Sequence, residues 1–151
     1  MNNKVYEKNM EALNKRFPGM AKVVKEHYYH LDKDVLVDVE YAEDASPILR
    51  ITKDNRVLYL NGKRNPQNTV KRYFQGWEKL NRATPIFIVG MGNVVLLKYL
   101  LEHTDVGINI MVYEPSVSIF LKLMQTVDIS IYFENRALGI IVNGINAEEC
   151  D

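Results

Sequence analysis

The chain has 151 residues, 47% of them hydrophobic and 25% charged, and its 19 lysines and arginines balance 19 aspartates and glutamates. That is enough chain for one domain, or one domain with a small companion, and a zero net charge leaves no global field to attract nucleic acid or an anionic membrane surface. Cys150 is the single cysteine and has no partner for an internal disulfide, residues 1–7 lack the apolar core of a signal peptide, and no run approaches the roughly 20 apolar residues of a membrane span, so the expectation is a cytoplasmic protein.

Tyr6, Met10, Leu13 and Phe17 recur at spacings of four, three and four, which predicts one face of an amphipathic helix ended by Pro18. Proline is tolerated in a first helical turn, so a second helix is expected from Pro18 to about Tyr29, with Met20, Val23 and Val24 inward. Over residues 35–41, Val35, Val37, Val39 and Tyr41 alternate with Leu36, Asp38 and Glu40, the period of a strand with one wet face. Two more strands are expected over residues 47–52 and 56–60, joined by a turn at Lys53-Asp54-Asn55, to make a three-stranded antiparallel meander. Asn65-Pro66 then starts a helix with Val70, Tyr73, Phe74 and Trp77 on its inner face. Lys63, Arg64, Lys71 and Arg72 gather at its start, either to hold a phosphate or as a solvated face.

The character of the chain changes near residue 84, dividing it into an N-terminal α+β domain, 1–84, and a second part, 85–151. Pro85-Ile86-Phe87-Ile88-Val89 is a short apolar run of the kind buried on both faces in a parallel sheet. Gly90-Met91-Gly92-Asn93 follows, then a leucine-rich helical segment from Val94 to His103, a second strand at 108–113, and Glu114-Pro115. Strand, glycine turn, helix, strand and acid is the order found in nucleotide-binding α/β folds. Glycines let a ligand approach the backbone, the helix amides face it, and an acid about twenty positions on accepts ribose hydroxyls. Glu114 lies 22 residues past Gly92, so Gly90, Met91, Gly92, Asn93 and Glu114 are the candidate ligand-binding residues. The turn reads G-x-G-x-x-V, with Val95 where a dinucleotide fingerprint has its third glycine. That departure weakens the case for NAD or FAD and leaves room for S-adenosylmethionine or a nucleotide-sugar. The bland alternative is a packing turn with a solvated Glu114.

Ser116 is placed to cap a further helix with Val117, Phe120, Leu121 and Met124 on its apolar face, and residues 138–144 supply a third strand. Right-handed crossovers place these three strands in spatial order 3-2-1, half of a Rossmann-like parallel sheet. One edge of the first strand is then open, to be covered by the N-terminal strands or by chain beyond Asp151, and the second is the expectation.

Three segments carry a resemblance to a known family. Asn61-Gly62-Lys63-Arg64-Asn65-Pro66 leading into a helix, Ile88-Val89-Gly90-Met91-Gly92 before a leucine-rich helix, and Val112-Tyr113-Glu114-Pro115 followed by Phe120 resemble the Maf-type motility accessory factors. The opening Tyr6, Asn9, Leu13 and Phe17-Pro18 is similar to the start of those proteins. The resemblance implies a flagellin glycosyltransferase with a Rossmann-like, sialyltransferase-related core, shared with archaeal 6-hydroxymethylpterin diphosphokinases. Such an enzyme moves a nonulosonic acid from a CMP-activated donor to serine or threonine of flagellin. It also implies that much of the catalytic domain lies beyond Asp151, that Gly90, Gly92, Asn93 and Glu114 lie at the donor edge, and that this part alone is inactive.

No catalytic base is assigned. His103 is roughly 15 Å from Asn93 by helical rise and suits a helix C-terminus, while His27 and His30 belong to the N-terminal region. No H-E-x-x-H, P-loop, G-x-S-x-G or paired acidic motif occurs, so no metal and no resident cofactor beyond the CMP-linked donor are expected. Two other classes stay open: a methyltransferase-like domain, and a non-enzymatic assembly domain whose partner is another protein or a second copy of the chain.

Overall fold

The computed structural model describes residues 3–31, 33–75, 84–105, 107–134 and 137–147. Trp77 and Cys150 lie outside these residues. Helix α1, Asn3–Arg16, buries Met10 and Leu13 and half-buries Tyr6 and Phe17, as its apolar spacing requires. Pro18 occupies the first turn of α2, Pro18–His27, whose inward face is Met20, Ala21 and Val24. Val23, expected inward, is only half-buried, and Ala21 is buried in its place. Asn9 is fully buried on α1. Its Nδ2 donates to the carbonyls of Met124 at 3.0 Å and Val127 at 2.7 Å, and its Oδ1 accepts from the amide of Ile129 at 3.0 Å.

Strands β1, Leu36–Tyr41, β2, Pro47–Lys53, and β3, Arg56–Tyr59, form the expected antiparallel meander in that spatial order. Asp54 and Asn55 both take positive φ, 49° and 59°, the geometry of a two-residue hairpin turn that matches strand twist. Tyr41, expected on the inward side of β1, is 65% exposed at the last residue of that strand. Helix α3, Pro66–Tyr73, begins at Asn65, whose side chain accepts from the Asn68 amide at 2.8 Å. Val70 and Phe74, one helical turn apart, are buried, whereas Tyr73 is 66% exposed and meets Phe74 only edge-on.

Strands β4, Ile86–Val89, β5, Ile110–Glu114, and β6, Leu138–Val142, make a parallel sheet in the order β4-β5-β6. Helix α4, Val94–His103, connects the first two, and α5, Val117–Thr126, with the short α6, Ser130–Glu134, connects β5 to β6. Helix α6 has no counterpart in the sequence expectation. The Asp128 carboxylate starts it by accepting from the Ser130 amide and hydroxyl at 3.2 and 2.7 Å.

The expectation that β4 is buried on both faces does not hold. Phe87 and Val89 are 77% and 78% exposed, while Ile86, Ile110, Val112, Leu138, Ile140 and Val142 are buried. Two right-handed crossovers that step the same way across a sheet put both connections on one face and leave the other bare. On the covered side, one cluster of buried residues runs from Met10 and Leu13 through Leu49 and Val70 to Leu97, Phe120 and Val142. Residues 1–84 and 85–151 therefore share a core. The structure is an α/β fold with N-terminal helices, an antiparallel sheet and then half of a Rossmann-like parallel sheet.

Candidate functional site

The carboxyl ends of β4 and β5 bring all five candidate ligand-binding residues into one corner. Gly90 follows β4 directly, and its amide donates to the Tyr113 carbonyl at 2.7 Å, extending the ladder by one bond. Its φ is +93°, which a residue with a Cβ adopts only under strain, and the space where a Cβ would stand is open. Gly92 is a glycine for a different reason. A Cβ there would overlap Leu60 Cδ1 and lie 3.2 Å from Leu49 Cδ1, so the meander packs onto the turn at that point. Between the two glycines, the Met91 side chain is fully buried.

Asn93 caps α4: its Oδ1 accepts from the Leu96 amide at 3.0 Å and from Asn61 Nδ2 at 3.0 Å. Asn61 belongs to the Asn61-Gly62 step that ends the meander, so this bond ties the N-terminal sheet to the glycine turn. Glu114 is fully buried. One carboxylate oxygen accepts from the Met91 amide at 2.5 Å and the other from the Ser116 amide at 2.8 Å. It is therefore neither solvated nor turned away from the glycine turn. It straps the turn to the start of α5, with both oxygens on backbone amides. Burial pushes its carboxyl above the ordinary 4.5 against the pull of those two amides, and the charge of Asp34 pushes the same way.

Asp34 was not legible as a site residue, yet it completes the corner. Its Oδ1 accepts from the Ser116 hydroxyl at 2.8 Å and the Ser118 amide at 3.4 Å, while Ser116 Oγ caps α5 by accepting from the Ile119 amide at 3.3 Å. Although burial works to raise it, these serine hydrogen bonds hold Asp34 below the usual carboxylate range. The only advance signal was an acid preceding a strand, which is too common to single out.

In open α/β sheets, ligands lie beyond the carboxyl ends of the strands, where the strand order reverses. The order β4-β5-β6 contains no such reversal, and Gly90 follows the edge strand β4. Among the described residues no strand pairs with that edge. The accessible features of the corner are thus Gly90, the outward side chain of Val89 and the 38%-exposed Tyr113, whereas Met91, Gly92 and Glu114 lie in packed interior.

Elsewhere, a cleft of about 1070 Å³ runs along α4, between α3 on one side and Ile131 and Tyr132 on the other. It meets the corner only through Val94 and Val95, which follow Asn93. His103 stands on this cleft, its Nδ1–H donating to the Tyr99 carbonyl at 2.9 Å and its ring stacked 3.9 Å from Tyr99, a helix-end arrangement. His27 and His30 are exposed. In the basic cluster, Lys63 lies 3.4 Å from Glu40 and 3.9 Å over the Tyr59 ring, and Arg64, Lys71 and Arg72 are exposed. Among the described residues no three His, Cys, Asp or Glu side chains converge to hold a metal, and no helix is long and apolar enough to cross a membrane.

No protein-family model matches the sequence, and no curated protein is significantly similar to it. A solved structure does match: a MAf glycosyltransferase from Magnetospirillum magneticum AMB-1, at 18% identity with a TM-score of 0.59 over 94% of this chain. The chain has the fold of one segment of that enzyme. It spans 28% of the length of the solved MAf chain.

Proposed function

We propose that this chain is the donor-side part of a Maf-type glycosyltransferase, which moves a nonulosonic, sialic-acid-like sugar from a CMP-activated donor to serine or threonine of flagellin in the cytoplasm. The observation that carries this is the coincidence of two things: a fold shared with a MAf glycosyltransferase over 94% of the chain, and an open, positive-φ Gly90 at the carboxyl edge of the parallel sheet. The nucleotide approaches the backbone at Gly90, beside Tyr113. Met91, Gly92, Asn93 and Glu114 hold the turn in shape behind it, Glu114 by clamping the Met91 amide and Asn93 by capping α4.

Sugar transfer breaks the bond from the anomeric carbon to the donor phosphate and forms one to the acceptor hydroxyl. It requires a base for the hydroxyl proton and hydrogen-bond donors for the departing phosphate. The amides of Gly90, Met91 and Leu96 are already given to Tyr113, Glu114 and Asn93, so the donors for the phosphate would be the remaining amides at the head of α4. None of the three histidines is placed beside the corner to supply the base.

Calorimetry of CMP against the folded chain, with amide exchange followed at residues 90–93, tests the assignment. Saturable heat and altered exchange within residues 90–93 are expected. No heat at millimolar CMP, with exchange unchanged, would remove it. The same turn suits S-adenosylmethionine, so S-adenosylhomocysteine serves as the competing ligand. Protection by it in place of CMP would favour a methyltransferase.

A further inference from the structure

A second cavity, of about 510 Å³, opens between the open end of the β1–β2 hairpin and the side of α5. Three lysines from three separate segments line it: Lys33 before β1, Lys53 at the end of β2 and Lys122 on α5. Among the described residues none of the three has an ion-pair partner, whereas Lys8, Lys15, Lys63 and Lys98 each stand within 4.0 Å of a carboxylate. Lys33 is held instead with its ammonium 4.9 Å over the Tyr28 ring. In a chain of zero net charge, three ammonium groups with no ion-pair partner among the described residues, around one cavity, are a local concentration of positive potential.

Two acids also border the cavity. Asp34 turns its carboxylate to the Ser116 hydroxyl and the Ser118 amide, and Asp54 sits in the exposed hairpin turn. The second, independent observation is Thr52. It lines the same cavity, and its hydroxyl is buried without a hydrogen-bond partner. Native structures leave few such groups unsatisfied.

We propose that this cavity binds a phosphate group, as the free anion or as the phosphate of a small phosphomonoester. A phosphomonoester carries close to two negative charges and three terminal oxygens, which three flexible ammonium donors and one hydroxyl can satisfy together. A single carboxylate would leave at least one of the lysines unmatched. The cavity adjoins the glycine corner through Asp34 and Ser118, but the proposal does not depend on the assignment made there.

The test is an amide-shift titration of the folded chain by NMR at constant ionic strength, with inorganic phosphate in one arm and glycerol 3-phosphate in the other. Saturable shifts confined to Thr52, Lys53, Ser118 and Lys122 are expected, with a dissociation constant on the order of 1 mM. Lys53→Ala and Lys122→Ala should each weaken binding roughly 3- to 10-fold, and Thr52→Val by a similar factor. Glycerol 3-phosphate binding at least about tenfold more tightly than inorganic phosphate would identify an organic phosphate as the ligand. Equal affinity would identify the phosphate group itself. Shifts that sodium chloride reproduces would overturn the proposal. So would unchanged phosphate binding in a Lys33→Ala, Lys53→Ala, Lys122→Ala variant that circular dichroism shows to be folded.

Discussion

Replacing Glu114 with alanine removes the acceptors of two buried amides, Met91 N–H at 2.5 Å and Ser116 N–H at 2.8 Å. An orphaned buried donor costs about 1–3 kcal/mol, so the pair sets an upper figure of about 6 kcal/mol. Against that stands the relief of a buried charge whose carboxyl is already pushed up by desolvation. A net loss of about 2–4 kcal/mol is expected, which in a domain of this size lowers Tm by about 4–16 °C. The measurement is a thermal melt paired with amide exchange. Deprotection should be selective for Met91 and Ser116 while the interior of β5 stays slow. Glu114→Gln should fall between wild type and alanine, because its one carbonyl oxygen can serve only one of the two amides well. A melt shifted by less than about 2 °C, with both amides still protected, would refute the idea that this carboxylate holds the turn.

The same residue sets a pH signature. Its folded pKa lies above the unfolded value, so its contribution is fully present below the unfolded pKa near 4.5 and is lost as pH rises through the folded one. The stability advantage of wild type over Glu114→Gln, from urea melts, should therefore shrink as pH rises from about 4 to 7. Asp34 has the opposite sign: held below its usual 3.8, it contributes above the unfolded pKa and loses that as pH falls through the folded value. Its advantage over Asp34→Asn should fade in acid, and a pH-independent difference would contradict the assignment. Asn93→Ala removes the α4 cap and should cost about 1 kcal/mol in denaturant melts, with fraying visible at Leu96. Gly92→Ala, which drives a methyl into Leu60, should cost about 1–3 kcal/mol through overpacking, and Gly90→Ala about 1–2 kcal/mol through backbone strain alone. A crystal structure or NOE pattern in which Leu60 is unmoved by Gly92→Ala would count against the close approach. Asn9→Leu leaves two carbonyls and an amide unsatisfied and should cost at least about 3 kcal/mol, read from the denaturant midpoint.

Where periodicity met a single burial boundary, the sequence was a sound guide. Met10 and Leu13 in α1, the alternation around Val37 in β1, the Asp54-Asn55 turn and the β4-α4-β5 order all came out as expected, because each is decided by residues close in sequence. The errors share a cause. Phe87 and Val89 in β4 are apolar in composition yet exposed, since burial of the second face depends on what packs there and not on the strand. Tyr41 and Tyr73 match their strand or helical period but stand at element ends, where they are 65% and 66% exposed. Asn9 was visible only as part of a resemblance. Its three hydrogen bonds go to residues 115 to 120 positions away, a distance at which no local pattern can announce a partner.

The glycine turn makes the same point about function. G-x-G reads as two equivalent glycines that bare the backbone for a ligand. In the fold they have separate tasks, because the meander arrives from an unrelated part of the chain and seats Leu60 against Gly92, leaving only Gly90 open. Glu114 likewise stands where a ribose acceptor belongs by spacing, yet its oxygens are taken by Met91 and Ser116. A carboxylate so engaged shapes the turn by fixing a donor's direction, and each of its oxygens keeps a second lone pair for a sugar hydroxyl only if the buried corner opens. Ribose contact at Glu114 and a rigid strap at Glu114 thus make opposite demands on the same atoms. If CMP binds with the Met91 amide still slow to exchange, Glu114 positions the turn and the nucleotide is held at Gly90. If Met91 is deprotected as CMP saturates, the strap has been exchanged for the sugar.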